Sequence, residues 1–254
     1  MNVLDAIILA VVQGLTEFLP VSSKTHLLFT RHLLKLPVDL FFDVTLHLGS
    51  LAAILVYYRK SWLELLRERR GEIPRLVIAT VPLIVAALLF RKYLAAAYEN
   101  LILASAMLLV TAAWLFAAER FSREKEGVLE SPWWKIVLIG LAQACAVLPG
   151  ISRSGSTIGM GYLVGLKRPD AVRFSFFMGA IAIVAAMTKM TQELVSTKAR
   201  PEPVPIVIGI AVTFVVSIAA IRVVEKLSPR GRFLWFALYC AVAGIVGLIC
   251  FGRG

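Results

Sequence analysis

Two short polar stretches interrupt an otherwise apolar chain, and they hold most of the groups able to do chemistry. The first reads Gln13-Gly14-Leu15-Thr16-Glu17-Phe18-Leu19-Pro20-Val21-Ser22-Ser23-Lys24-Thr25-His26. It gathers a carboxylate, an ammonium, an imidazole and several hydroxyls, which together make an acid/base set with nucleophiles at hand. Gln13 and Glu17 are four apart and share a helix face, while Ser23 and His26, three apart, face each other at the start of a following helix. A purely structural reading stands beside this one. Ser22 or Ser23 caps the helix from Thr25, the cap being the favoured role for Ser22, and Glu17 pairs with Arg153 in a buried ion pair.

The second stretch, Leu148-Pro149-Gly150-Ile151-Ser152-Arg153-Ser154-Gly155-Ser156-Thr157, sets one guanidinium among four hydroxyls and two glycines. Inside an apolar body such a group is costly without a partner. A phosphate is the matching partner: it takes a bidentate Arg, hydroxyl donors and backbone N–H groups from turns that glycine permits. The helix beginning near Thr157 would add its positive end. Gly150, Ser152, Arg153, Ser154, Gly155 and Thr157, with Ser22 and Lys24 of the first stretch, are therefore the expected phosphate contacts.

Other polar residues carry weaker signals. His47, among apolar neighbours and next to Gly49, reads first as a packed, hydrogen-bonded residue and only second as part of a site. Asp39 and Asp43 read as residues at the boundary of a membrane span before they read as metal ligands. Trp62, Trp133 and Trp134 have the placement of interfacial anchors. Cys145, Cys240 and Cys250 lie in apolar runs without CxxC spacing and read as small core residues. Nothing resembles a Walker loop, a zinc site or a dinucleotide fingerprint.

The elements that position these stretches follow from composition. Of 254 residues, 59% are apolar and 17% charged, against about 45–50% and about 25% in soluble domains. The mean hydropathy of +0.82 needs several membrane-crossing segments, so the chain reads as one all-α integral membrane domain over 1–254. Six runs approach the required length: 40–58, 75–90, 101–118, 174–190, 204–221 and 233–251. Four apolar stretches, 3–12, 27–36, 133–147 and 158–166, are too short and form two pairs around the polar loops. Each pair is expected to be a re-entrant helical hairpin. The N-terminus lacks a basic region and a small-residue cleavage site, so no cleaved signal peptide is expected.

The net charge of +11 resides in short gaps between apolar runs, where it encodes topology rather than affinity for nucleic acid. Residues 59–72 carry Arg59, Lys60, Arg67, Arg69 and Arg70, which places them in the cytoplasm together with 119–132 and 222–232. The 91–100 and 191–203 loops, the latter with only Lys198 and Arg200, fall outside. On this topology the first hairpin enters from outside and the second from the cytoplasm. The halves, about 1–125 and about 126–254, also echo each other: Gly49-Ser50-Leu51-Ala52-Ala53 parallels Gly179-Ala180-Ile181-Ala182-Ile183, and Leu19-Pro20 parallels Leu148-Pro149. An inverted-topology repeat, each half a hairpin plus three transmembrane helices, is the expected fold.

The stretches QGLTEFLPVSSKTHL and PGISRSGST resemble the two loops of the undecaprenyl-diphosphate phosphatase, or bacitracin-resistance, family, which read roughly (E/Q)GLTEFLPVSS(S/T)GHL and PG(x)SRSG(x)T. The likeness continues into Ala171…Phe174-Ser175-Phe176 and extends to chain length. It implies an inverted repeat with two re-entrant hairpins in the bacterial plasma membrane, with the site facing the outer side. It further implies removal of the terminal phosphate of a C55 polyprenyl diphosphate, which renews the lipid carrier of cell-wall synthesis and confers bacitracin resistance. Carried over by position, Glu17, Ser23, His26, Ser152, Arg153, Ser154 and Thr157 become the phosphate-handling set, with Ser23 as nucleophile, Glu17 or His26 as its base and Arg153 holding the diphosphate. Attack by water or by His26 itself stays open. The resemblance also implies a divalent cation, Mg²⁺ or Ca²⁺, at Glu17 with Gln13 nearby, and it leaves room for a homodimer.

The chain departs from the family pattern in three ways: Lys24-Thr25 replaces Ser/Thr-Gly, Gln13 stands where many members have Glu, and Ile181 stands where Pro is expected. Loss of the glycine predicts an altered loop geometry. The added charge of Lys24 predicts a lower need for the cation. The competing function is a polyprenyl-phosphate transporter built on the same inverted repeat.

Overall fold

The computed structural model describes residues 1–197 and 202–252. The chain is helical, and among the described residues there is no strand. Helices α1 (Val3–Thr16) and α2 (Ser23–Leu33) precede α3 (Leu40–Tyr57), α4 (Arg59–Arg67), α5 (Glu72–Leu89), α6 (Arg91–Ala97) and α7 (Leu101–Arg120). After them come α8 (Trp133–Cys145), α9 (Arg153–Val164), α10 (Arg168–Thr197), α11 (Pro203–Leu227), a 3-10 turn at Ser228–Arg230, and α12 (Leu234–Phe251). Five helices are long and apolar enough to cross a membrane, and a sixth span results if α3 and α4, bent by 68° at Tyr58, count as one. This is a multi-pass membrane protein.

The short apolar stretches form helix–turn–helix pairs, α1 with α2 and α8 with α9, whose turns are the two polar loops. Several bounds differ from the hydropathy reading. The segment 59–72 was expected to be a loop, but Arg59–Arg67 is the helix α4; it holds no Gly or Pro, and its buried Leu65 gives it an anchoring point. Likewise α10 continues to Thr197, through residues expected to form the 191–203 loop, because Gln192, Glu193 and Leu194 favour helix. Lys198 and Arg200 of that loop lie outside the described residues.

Close packing relies on small residues. α1 lies against α11, where Gly14 leaves a Cβ only 3.0 Å from the Thr213 carbonyl and Thr213 Oγ1 donates to the Ala10 carbonyl at 3.2 Å. Gly140 brings α8 equally close to Ala79 of α5. Helices in an apolar surrounding gain little from hydrophobicity alone, so close backbone approach and hydroxyl bonds supply the association.

The segments assigned to the cytoplasm by charge meet at one end of the bundle. There Arg168 pairs with Glu119 at 2.6 Å and with Glu124 at 2.8 Å, Arg173 pairs with Glu72 at 3.0 Å, and Arg75 donates to the Leu129 carbonyl at 3.0 Å. The start of α8 and the end of α9 adjoin this end, since Lys135 pairs with Glu126 at 2.7 Å and Arg123 N–H donates to the Tyr162 carbonyl. At the other end, Arg31 of α2 is tied to Asp43 of α3 at 2.5 Å, and Phe29 meets Phe251 of α12.

Asp43 is thus an ion-pair partner, and Asp39 caps α3 by accepting from Phe42 N–H at 2.9 Å. Trp62 is not an anchor at an interface: it stacks on Phe177 at 3.9 Å, against the core. Trp133 and Trp134 are exposed near the helix start, as expected of anchors. Only Cys240 is a core cysteine. Cys145 and Cys250, expected to be buried, are exposed, because apolar runs that face lipid look the same in sequence as runs that face protein; all three thiols are free.

Candidate active site

The two loops lie against each other in the interior. Gly155 brings α9 so close to the first loop that a Cβ there would sit 3.2 Å from Pro20 Cβ, and Ser154 Oγ donates to the Leu19 carbonyl at 3.2 Å. Gln13, Glu17, Ser22, Ser152, Ser154 and Thr157 are all buried.

Glu17 is the hub. Its Oε1 accepts from Arg153 Nη2 at 2.5 Å; its Oε2 accepts from Ser23 Oγ at 2.7 Å and from Gln13 Nε2 at 3.0 Å. His47 Nε2 stands 3.4 Å from the same Oε2, its Nδ1–H donating to the Asp43 carbonyl at 2.8 Å. The charge-assisted pair therefore binds a guanidinium of α9 to the end of α1, and the Ser23 proton already points at a carboxylate. Lys24 and His26 make their hydrogen bonds outside this group.

Ser152, Ser154 and Thr157 are placed by the start of α9. Ser152 Oγ caps that helix by accepting from Gly155 N–H at 3.1 Å, so the Gly155 amide is committed to the cap. Thr111 of α7 fixes the turn, donating to the Gly150 carbonyl at 2.7 Å and accepting from Ser152 N–H at 3.2 Å. Gly150 has φ +92 and touches α7 where a Cβ would overlap Met107, so the position needs glycine twice over. Thr157 Oγ1 shares a 2.6 Å bond with Ser175 Oγ of α10. Gly179 of α10 gives Arg153 its room, since a Cβ there would occupy the space of the guanidinium.

Three expectations meet a different geometry. Ser22 holds the N-cap position of α2, but its hydroxyl makes no capping bond; it adopts φ 69, and its Oγ lies 3.2 Å from Thr25 Oγ1. Thr25 is helical and buried, so the family's glycine is not required there and the unusual backbone angle falls on Ser22 instead. Lys24 is turned away from the Glu17 cluster: its Nζ donates to Tyr98 Oη at 3.2 Å and reaches the Ala146 and Val147 carbonyls at 3.4 Å. These carbonyls end α8, where a positive charge is favoured.

His26 does not face Ser23. Its Nδ1–H donates to the Ser22 carbonyl at 2.8 Å, and its Nε2 lies 2.7 Å from the hydroxyl of Tyr239, whose ring stacks on the imidazole at 5.6 Å. Tyr239, Thr111 and Ser175 escaped the sequence reading, in which His47 is only second a part of the site. Tyr239 gives no signal inside an apolar run; His47 did, standing next to the Gly49 that matches Gly179.

For a divalent cation the donors are hard oxygens: the Glu17 carboxylate and Gln13 Oε1, a buried oxygen with no hydrogen-bond partner among the described residues. Among the described residues no three His, Cys, Asp or Glu side chains cluster as ligands. The site fits an ion that brings most of its ligands as phosphate oxygens and water.

Comparison with known proteins matches residues 6–246 to the family model described as bacitracin resistance protein BacA. Relatives named undecaprenyl-diphosphatase are similar along nearly the whole length. The one from Syntrophotalea carbinolica is 37% identical over 256 residues, covering 96% of this chain and 97% of its own. Those from Rhodopirellula baltica and Gemmatimonas aurantiaca are 38% identical (96% of both chains) and 36% identical (97% of both chains).

Proposed function

Because the chain belongs to the bacitracin resistance protein BacA family, we propose that it is an undecaprenyl-diphosphatase, a membrane hydrolase that cleaves undecaprenyl diphosphate to undecaprenyl phosphate and inorganic phosphate. The observation that carries the chemistry is the Arg153–Glu17–Ser23 line, with bonds of 2.5 and 2.7 Å. Ser23 Oγ attacks the terminal phosphorus; the new O–P bond forms as the bridging P–O bond breaks, and the electron pair leaves on undecaprenyl phosphate. The Ser23 proton passes to Glu17 Oε2. Glu17 hands that proton to the departing undecaprenyl phosphate and, a carboxylate again, takes a proton from the water that attacks the phosphoserine; the P–Oγ bond breaks as the new P–O bond forms, and Glu17 returns the proton to Ser23 Oγ as inorganic phosphate leaves. Glu17 is favoured over His26 as the base because both ring nitrogens of His26 are engaged elsewhere.

Arg153 supplies charge to the equatorial oxygens of the phosphoryl group in flight, which is where most phosphoryl-transfer catalysis originates. The positive end of α9 and the Ser154 and Thr157 hydroxyls adjoin it. Glu17 and Gln13 Oε1 would hold a Mg²⁺ or Ca²⁺ ion. Such an ion, when bound, neutralises phosphate charge.

The inverted repeat is part of this proposal. Packing of α1 on α11 and of α8 on α5 exchanges when the halves are swapped, as does packing of α3 on α11 and of α10 on α5. The positive-inside distribution orients the bundle, and the resemblance to the family supports a site open to the outer face of the plasma membrane, where recycling of the cell-wall lipid carrier and bacitracin resistance follow from the reaction.

The test is phosphate release from a C55 polyprenyl diphosphate by the purified, detergent-solubilised protein. Turnover by the unsubstituted chain, lost in both Arg153→Ala and Ser23→Ala and lowered by chelator, is the expected result. Folded protein that binds the lipid without releasing phosphate would overturn the proposal.

A further inference from the structure

The proposed phosphatase reading puts a charged diphosphate at loops enclosed by apolar helices, while the substrate's C55 chain is itself apolar. The chain must therefore leave the site sideways into lipid, through a seam between helices. One seam has the features required. Helices α2 and α12 meet through rings: His26 with Tyr239 at 5.6 Å, Phe29 with Phe251 at 5.1 Å, and His32 with Phe251 at 5.1 Å. Among the seam contacts, the polar link is the 2.7 Å bond between His26 Nε2 and the Tyr239 hydroxyl. Here His26, three residues after Ser23, is linked to the outer surface of the bundle, for Tyr239 is 47% exposed.

Toward the start of α12 from Tyr239 the surface is apolar. Trp235 lies four residues before Tyr239, so the two share one stripe of α12. Trp235 and Leu238 border a groove of about 800 Å³ between α12 and α7, whose other wall includes Leu109, Ala113 and Phe116. The lining is apolar except for Arg232 at the far end, beyond the start of α12. A groove of this size and character matches the usual dimensions of a site for an extended apolar ligand.

We propose that the α2–α12 seam, latched by His26 and Tyr239, is the lateral exit for the polyprenyl chain, and that the α7–α12 groove is the subsite for its first isoprene units. The latch couples the two functions, because the chain passes the side chain that holds His26 in place. This rests on the phosphatase reading for the nature of the ligand but not on turnover.

The experiment is photolabelling of the detergent-solubilised protein with a polyprenyl phosphate carrying a diazirine in its first isoprene unit, followed by peptide mapping. Label on α12 around Trp235–Leu238 and on α7 around Ala113 is expected; label confined to α1, α5, α8 or α11 overturns the proposal, whether or not the protein turns over substrate. In parallel, Ala113→Trp and Ala241→Trp fill the groove. Their kcat/KM for the C55 diphosphate should fall about tenfold or more, with that for methyl diphosphate, which has no isoprene unit to seat, unchanged. Equal loss for both substrates, or loss for neither, contradicts the subsite. Absence of turnover by the unsubstituted protein would count against the phosphatase reading alone, leaving the labelling pattern to decide the groove.

Discussion

Arg153 and Glu17, 136 positions apart in the chain, meet at 2.5 Å in the interior and join the two polar loops into one site. The pair serves both fold and chemistry. It compensates two charges that neither hairpin could hold alone, and it holds a carboxylate within 2.7 Å of the Ser23 hydroxyl.

Removing one partner should therefore cost more than removing both. Arg153→Ala leaves the Glu17 carboxylate uncompensated and is expected to destabilise the protein by about 3 kcal/mol, besides lowering phosphate release by about 100-fold or more. The neutral double variant Glu17→Gln/Arg153→Met should recover most of the thermal stability in detergent and none of the activity. Recovery of activity would mean that the pair is structural only.

Gly179→Ala and Gly49→Ala separate the two roles. At Gly179 the added methyl meets the Arg153 guanidinium, a side chain that can move; the variant should fold but turn over about 100-fold more slowly, because Arg153 is displaced from its place. At Gly49 the methyl meets backbone of α11 at Ile210 and Phe214, which cannot yield, so loss of stability is expected first. Melting temperature and kcat measured side by side would show this reversal, and parallel losses at both positions would refute it.

Both loops were legible because polar residues in an apolar chain stand out, and hydropathy located the spanning helices. The pairing of Glu17 with Arg153 was foreseen as a structural alternative. What escaped depends on which helices become neighbours. Tyr239 reaches His26 only because α12 lies beside α2, and His47 reaches Glu17 only because α3 lies beside α1. Local rules also misplaced the strained position. The family's glycine drew attention to Thr25, an ordinary helical residue, while the positive φ belongs to Ser22, which carries no such mark in its side chain.

That strain makes the two adjacent serines distinguishable. Ser22→Gly removes a left-handed penalty of about 1 kcal/mol and loses only the Thr25 contact, so turnover should stay within a few-fold of the unsubstituted protein. Ser23→Gly removes the hydroxyl bonded to Glu17 and should abolish phosphate release. If Ser22→Gly were the inactive one, the nucleophile would be misassigned.

Lys24 offers the sharpest contrast between the charge pattern and the geometry. Its place in the first loop suggests an ammonium that takes over part of the cation's work on the phosphate, so that less divalent ion is needed. In the structure that ammonium joins Tyr98 and the last carbonyls of α8, with the Tyr98 ring 4.9 Å away, and so fastens the first hairpin to the second. Lys24→Met keeps the stem and removes the charge. It should lower stability by about 1 kcal/mol while leaving the chelator concentration for half-maximal activity where it was. A chelator midpoint that moved to lower concentration in Lys24→Met would mean that the ammonium leaves α8 for the substrate once the diphosphate is bound, and the link between the hairpins would then be one that catalysis breaks in every turnover.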